Sequence, residues 1–298
     1  MKSLGAKLAL FTATIIWGAS FLIVKNSMDV MGPHTLLGFR FTIAGILLGI
    51  IFHKRLKSLN RDYFIKGAIL GVLLFLGYSL QTIGITDTTP GKNAFLTTIY
   101  CILVPFFYWL VDKKKPDAYN FTAAIITIAG IGLVSLNGNF TIRMGDALTL
   151  AGGALYAIHM VFIAKFTQGR DPVLLTILQF GYASIISWTV AFLTEDMPAK
   201  LNGDSLLGLF YLAVFATAIA LLLQNIGQKY TNPAAASIIL SLESVFGVLF
   251  SVVFYHEKVT VKLFFGFLLI FLSIIISETK LSFLRKQKHV PVTQEDIG

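Results

Sequence analysis

The chain has 298 residues, of which 56% are hydrophobic and only 13% charged, with a mean hydropathy of +0.78. A soluble domain carries roughly 25% charged residues, so a largely water-facing surface is excluded and the lipid bilayer is the solvent that fits. The formal charge of +9 would point to nucleic acid in a soluble protein; here it is expected in short loops that hold one side of the protein in the cytoplasm, with no nucleic-acid partner.

A bilayer core of ~30 Å needs about 20 helical residues to cross it. Ten apolar runs of that order follow one another, at about Lys7–Lys25, Pro33–Phe52, Phe64–Ile85, Lys92–Val111, Asn120–Leu136, Asp146–Phe166, Val173–Leu193, Ser205–Gln228, Ala234–Tyr255 and Lys262–Glu278. Phe, Leu, Ile and Ala dominate them without strict alternation, which excludes the strands of a β-barrel. The expected fold class is therefore an all-α integral membrane protein of ten transmembrane helices. The first run is longer than a signal-peptide core, and Trp17-Gly18-Ala19-Ser20 is no clean cleavage site, so a retained helix is expected. Gly32-Pro33, Pro90-Gly91, Asp171-Pro172 and Asn232-Pro233 each stop one helix and start the next. Pro105 lies inside the fourth run and is expected to kink it. Gly45/Gly49, Gly67/Gly71, Gly130/Gly132 and Gly152/Gly153 are read as small-residue packing contacts. The single cysteine, Cys101, excludes an intrachain disulfide and is read as packing. A polar tail over 280–298, with Arg285, Lys286 and Lys288, ends the chain.

Orientation follows from the loops. With the N-terminus placed in the cytoplasm, seventeen Lys and Arg fall on the inner side and six on the outer, and Arg40 alone lies within a span. Such a bias predicts a multi-pass protein of the cell membrane with both termini cytoplasmic.

The halves 1–138 and 139–279 resemble each other. Trp17, Pro33, Arg40 and Phe41 precede Tyr156, Pro172, Gln179 and Phe180 by 139 residues, and Gln81, Gly84 and Pro90 precede Gln224, Gly227 and Pro233 by 143. Five spans per half is an odd number, so the second half is expected to enter the membrane from the opposite side, as an inverted repeat. Such a body has two interconvertible shapes, the physical basis of alternating access.

These strings also resemble a known family. The ten spans, the opening Trp17-Gly18-Ala19-Ser20-Phe21, the run from Asn93 to Pro105, and the second-half residues Pro233, Ser241-Leu-Glu243-Ser244 and His256-Glu257-Lys258 are similar to the EamA type of the drug/metabolite transporter superfamily. The resemblance covers about Ala6 to Ser277; the chain departs from the family in having Glu243-Ser244 where Glu-Pro is common. It implies export or exchange of amino acids, other metabolites or amphipathic compounds.

Polar groups at membrane depth are the informative ones. Measured from the expected helix ends at ~1.5 Å per residue, Arg40 lies ~10 Å from the outer face and Glu243 ~16 Å. Opposite charges at similar depth invite pairing or a shared water-filled cavity, for substrate binding or proton coupling, with Glu243 as the candidate proton carrier. Trp17, Ser20, Tyr100, Tyr156, His159 and Gln179 fall in or near the middle third and join Arg40 and Glu243 as candidate substrate-binding residues. Aromatic rings with polar tips suit an amphipathic solute. Gln81 and Gln224 are placed near opposite faces as gate candidates, and Asn93 and Asn225 carry weaker signals.

The absence of a G-x-x-x-x-G-K-[ST] loop means that this chain does not itself use ATP. No G-x-S-x-G or H-E-x-x-H occurs, which argues against a membrane-embedded enzyme, and scattered polar groups argue against a channel. The expected function is a non-enzymatic secondary transporter of small organic solutes. Its expected partners are a small-molecule substrate and the lipid bilayer, a homodimer is compatible, and no cofactor or metal is expected.

Overall fold

A computed structural model describes residues 3–113, 115–136, 142–198, 200–231 and 233–281. Lys2, Lys114, Asn232 and the basic positions Arg285, Lys286 and Lys288 lie outside the described residues. The described chain is all-α, with no β-strand beyond one isolated bridge. Its helices are α1 (Ser3–Ser27), α2 (Pro33–Ile51), α3 (Arg61–Thr86), α4 (Pro90–Thr97), α5 (Ile99–Asp112), α6 (Ala118–Ser135), α7 (Met144–Phe166), α8 (Pro172–Thr194), α9 (Gly203–Phe210), α10 (Ala220–Tyr230), α11 (Pro233–Phe254) and α12 (Val261–Thr279). A π-helical segment, Tyr211–Ile219, joins α9 to α10. Eight spans are long and apolar enough to cross a membrane, with two shorter apolar helices at Ile239–Phe254 and Val261–Ser277. α4 and α5 form the fourth span, and α9, the π segment and α10 form the eighth.

Local chemistry explains the boundaries. Pro33, Pro90 and Pro172 sit in the first turns of α2, α4 and α8, where their missing N–H costs nothing. Asn60, Asp117, Asp171 and Asn202 accept hydrogen bonds from the first amides of α3, α6, α8 and α9. The fourth span has an interruption at Thr98 in addition to the proline it carries at Pro105, which lies inside α5. There the hydroxyls of Thr97 and Thr98 donate back to the carbonyls of Asn93 and Phe95, competing with the regular ladder.

The principal contacts are α3 on α7, α6 on α12, α1 on α11 and α2 on α8. They follow a rule: moving five spans along the chain carries one contact onto another. α1 on α11 corresponds to α7 against α4 and α5, α3 on α7 to α10 on α1, and α3 on α8 to the π segment on α2. The α2–α8, α6–α12 and α4–α11 contacts map onto themselves. The backbones of α3 and α7 approach closely, so that a Cβ on Gly84 would stand 2.7 Å from the Gly145 carbonyl and one on Gly152 3.0 Å from the Gly77 carbonyl. Of the expected small-residue contacts, Gly67, Gly71, Gly130, Gly152 and Gly153 meet a neighbour closely. Gly45 lies in ordinary van der Waals contact with Phe180 and Gly181 of α8, whereas Gly49 and Gly132 face no neighbouring helix within 4 Å.

One end of the bundle, the near end, carries the start of α1 and the end of α12. Arg55 pairs with Asp171 (2.8 Å), Arg170 with Asp62 (2.5 Å) and Lys280 with Asp117 (2.5 Å) there. Burial opposes the Asp117 charge, yet the Lys280 contact and the Asn120 and Tyr119 amides outweigh it and hold the carboxyl below its usual range. The far end is tied by four side chains. Lys25 Nζ donates to the carbonyls of Ile85, Thr86 and Thr88. Glu195 accepts from the amides of His34 and Thr35, and Glu257 from the amide of Gly91 and the hydroxyls of Thr89 and Ser251. Asp146 receives Lys92 (2.7 Å) and Thr88 (2.7 Å).

Candidate functional site

Between the spans lies a small cavity of about 60 Å³. α1 contributes Trp17, Ser20, Phe21 and Val24, which recur three and four apart and so share one face. α3 contributes Leu74, Tyr78, Gln81 and Ile85 by the same spacing. Arg40 comes from α2, Asn93, Thr97 and Tyr100 from the fourth span, Tyr156, His159 and Met160 from α7, Leu221 and Gln224 from α10, and Glu243 from α11. The wall thus draws on spans from both halves of the chain.

Arg40 is 2% exposed. Its Nε donates to Thr217 Oγ1 at 3.0 Å, and its guanidinium carbon stands 4.9 Å from the centre of the Tyr78 ring. A cation over an aromatic face is stabilised by the ring quadrupole, more so when desolvated. Thr217 belongs to the π segment and donates its own proton to the Leu212 carbonyl, five residues back, so it can only accept from Arg40. The same segment offers the Ala216 carbonyl to Trp17 Nε1 at 2.8 Å. Departure from α-helical geometry there supplies acceptors to two cavity residues.

Glu243 is 5% exposed and has the Tyr100 hydroxyl as its side-chain hydrogen-bond partner. Tyr78 and Tyr156 feel the charges of both Arg40 and Glu243. The two charged residues nevertheless form no ion pair within 4.0 Å among the described residues. Of the two arrangements open at the level of sequence, direct pairing or a shared cavity, the structure has the second. Each charge is held by neutral partners, so neither neutralises the other by contact.

A chain of neutral polar groups adjoins them. Tyr156 donates to Gln81 Oε1 (2.9 Å), Gln81 Nε2 donates to Thr97 Oγ1 (2.9 Å), and Thr97 donates to the Asn93 carbonyl (2.8 Å). The ring of Tyr78 meets those of Tyr156 and Phe41 edge-on at 5.4 and 5.5 Å.

Nine of the ten sequence candidates line this cavity; Gln179 does not. It lies behind His159, with its Oε1 2.9 Å from His159 Nε2. The gate candidates Gln81 and Gln224 both line this cavity. Tyr78, Thr217, Asn93 and Thr97 are the residues that sequence reasoning passed over or underweighted. Tyr78 lies one turn before Gln81, a spacing that could have exposed it. Among the described residues no three His, Cys, Asp or Glu side chains converge as a metal set.

Comparison with known proteins gives this geometry a family. The EamA-like transporter family model matches residues 4–136 and again 143–279. An uncharacterized transporter of Archaeoglobus fulgidus is 34% identical, over 93% of this chain and 86% of its own length. The uncharacterized transporter YvbV of Bacillus subtilis is 27% identical over 89% of both chains. The uncharacterized inner membrane transporter YedA of Escherichia coli K12 is 25% identical over 76% of this chain and 79% of its own. A protein crystal structure aligns with a TM-score of 0.71 at 18% identity, over 95% of this chain and 98% of that one, which shows a shared fold. The chain is a multi-pass membrane protein that belongs to the EamA-like transporter family.

Proposed function

We propose that the protein is a secondary transporter, an exporter or exchanger, of small organic metabolites such as amino acids or amphipathic compounds, working by alternating access. The observation that carries the reading is the cavity itself. A buried guanidinium and a buried carboxyl group, not paired with each other, line it among aromatic rings and amides. A solute bearing a carboxylate and an amine could satisfy Arg40 and Glu243, while its body packs on Tyr78, Tyr156 and Trp17. Substrate contact is proposed for Trp17, Ser20, Arg40, Tyr100, Tyr156, His159 and Glu243, and Gln179 is given a supporting role through His159. Gln81 and Gln224 are proposed as gating groups.

The alternating shapes rest on an inverted repeat of 1–138 and 139–279. The twofold match to one family model and the five-span rule of contacts support that relation. The lysine and arginine bias of the loops fits both termini facing the cytoplasm. Purified protein in proteoliposomes should show saturable counterflow with an amino acid or aromatic amine. Non-saturable flux without counterflow would favour a pore instead, and turnover of a bound solute lost in His159→Ala would favour an enzyme.

A further inference from the structure

We infer that Asn93 is a specificity-determining residue of the cavity, accepting a hydrogen bond from a second, distal donor on the transported solute. The inference rests on the transporter reading above and narrows its substrate class to solutes polar at both ends.

The argument is one of hydrogen-bond accounting. Asn93 is fully buried and forms part of the cavity wall. Its Nδ2 donates to Thr149 Oγ1 (2.7 Å) and to the Gln81 carbonyl (3.3 Å). Thr149 Oγ1 spends its only proton on the Gly145 carbonyl (2.7 Å), so towards Asn93 it can only accept. A backbone carbonyl also only accepts. Both neighbours therefore demand the amide nitrogen, and the side-chain orientation is fixed by chemistry. That leaves Oδ1 as a buried acceptor with no partner in the protein. A buried acceptor without a donor is costly and rare in a native fold, and a donor on a solute entering the cavity that Asn93 lines would satisfy it.

Asn93 and Tyr100, the partner of Glu243, stand on either side of the break at Thr98, so the donor that meets Asn93 is a different group of the solute from the one that meets Glu243. An amino acid with an amide or hydroxyl at the end of its side chain carries both groups. One with an apolar end would leave Asn93 Oδ1 unpaired, and sites built to bond a polar group reject such analogues strongly.

The test is competition for binding to the full-length purified protein, with matched pairs that differ chiefly in the distal donor. The pairs are L-tyrosine against L-phenylalanine and L-glutamine against L-methionine. The expected result is at least a tenfold preference for the donor-bearing member of one pair, and a ratio near one in Asn93→Leu with the apolar member still bound. Equal competition by both members of each pair in the unaltered protein overturns the inference while leaving the transporter reading intact, and needs no variant. A preference that survives in folded Asn93→Leu also overturns it. If none of the four amino acids binds, the amphoteric reading of the Arg40–Glu243 site fails, and the role of Asn93 fails with it.

Discussion

Replacing Lys25 with methionine should loosen the far end of the cavity. Val24 and Ile85 are the cavity residues nearest that end on α1 and α3, and Lys25 lies just beyond them. Its ammonium bridges the two helices by donating to the carbonyls of Ile85 (2.8 Å), Thr86 (3.0 Å) and Thr88 (3.0 Å). These carbonyls lie at or just past the C-terminus of α3, where a cation contributes about 0.3–1 kcal/mol. Hydrogen bonds from a charged donor add about 1.5–3 kcal/mol when buried, less here because water reaches the amine. A net loss of about 2 kcal/mol is a reasonable sum, and corresponds to a roughly 30-fold rise in the population open at that end. The measurement is the rate of thiol labelling of Ser20→Cys, a cavity position, in a Cys101→Ser background. Lys25→Arg, which keeps the charge, should label slowly. If Lys25→Met labels no faster than its parent, the α1–α3 seam is not what closes the cavity.

Three further outcomes follow from the same geometry. Glu243→Gln should remove the pH dependence of transport; an unchanged pH profile would exclude this carboxyl as the proton carrier. Burial opposes the Glu195 charge, but hydrogen bonds accepted from His34 and Thr35 outweigh it and hold the carboxyl below its usual range. Its stabilisation is therefore complete above the unfolded value of about 4.3 and is lost as pH falls through the lower folded value. Melting temperature followed from pH 7 to pH 3 should fall less steeply in Glu195→Gln than in the parent. Gly84→Ala would put a Cβ 2.6 Å from Thr149 Oγ1 and 2.7 Å from the Gly145 carbonyl, and should cost about 1–3 kcal/mol, read as a lowered melting temperature.

The spans were legible because hydrocarbon imposes one length and one composition on anything that crosses it. Pro33, Pro90 and Pro172 then marked where helices begin. The cavity residues were legible for a related reason: a polar side chain inside an apolar run is expensive and stands out. Tyr78 and Thr217 did not stand out, because a tyrosine passes for an aromatic core residue and a threonine for a residue that satisfies itself within its helix. What makes Thr217 an acceptor for Arg40 is the π geometry of Tyr211–Ile219, which no residue in that run announces. The break at Thr98 was hidden by the neighbouring Pro105, the more conspicuous helix breaker. It takes the pair of back-bonding hydroxyls at Thr97 and Thr98 to add an interruption seven residues before Pro105. The absence of an Arg40–Glu243 ion pair depended on neutral partners contributed by other spans, and depth along a single helix carries no record of those.

The 143-residue offset that relates Gln81 to Gln224 also relates Tyr100 to Glu243, and the 139-residue offset relates Arg40 to Gln179. A machine assembled from two identical halves would spend equal time in its mirror-image shapes, with no preferred resting posture. Here every ionisable member of the central set faces a twin of different chemistry: acid against phenol, guanidinium against amide. In the alternating-access cycle proposed above, the two postures would therefore differ in energy even when empty, and loading or protonation would act on a balance that is already tilted.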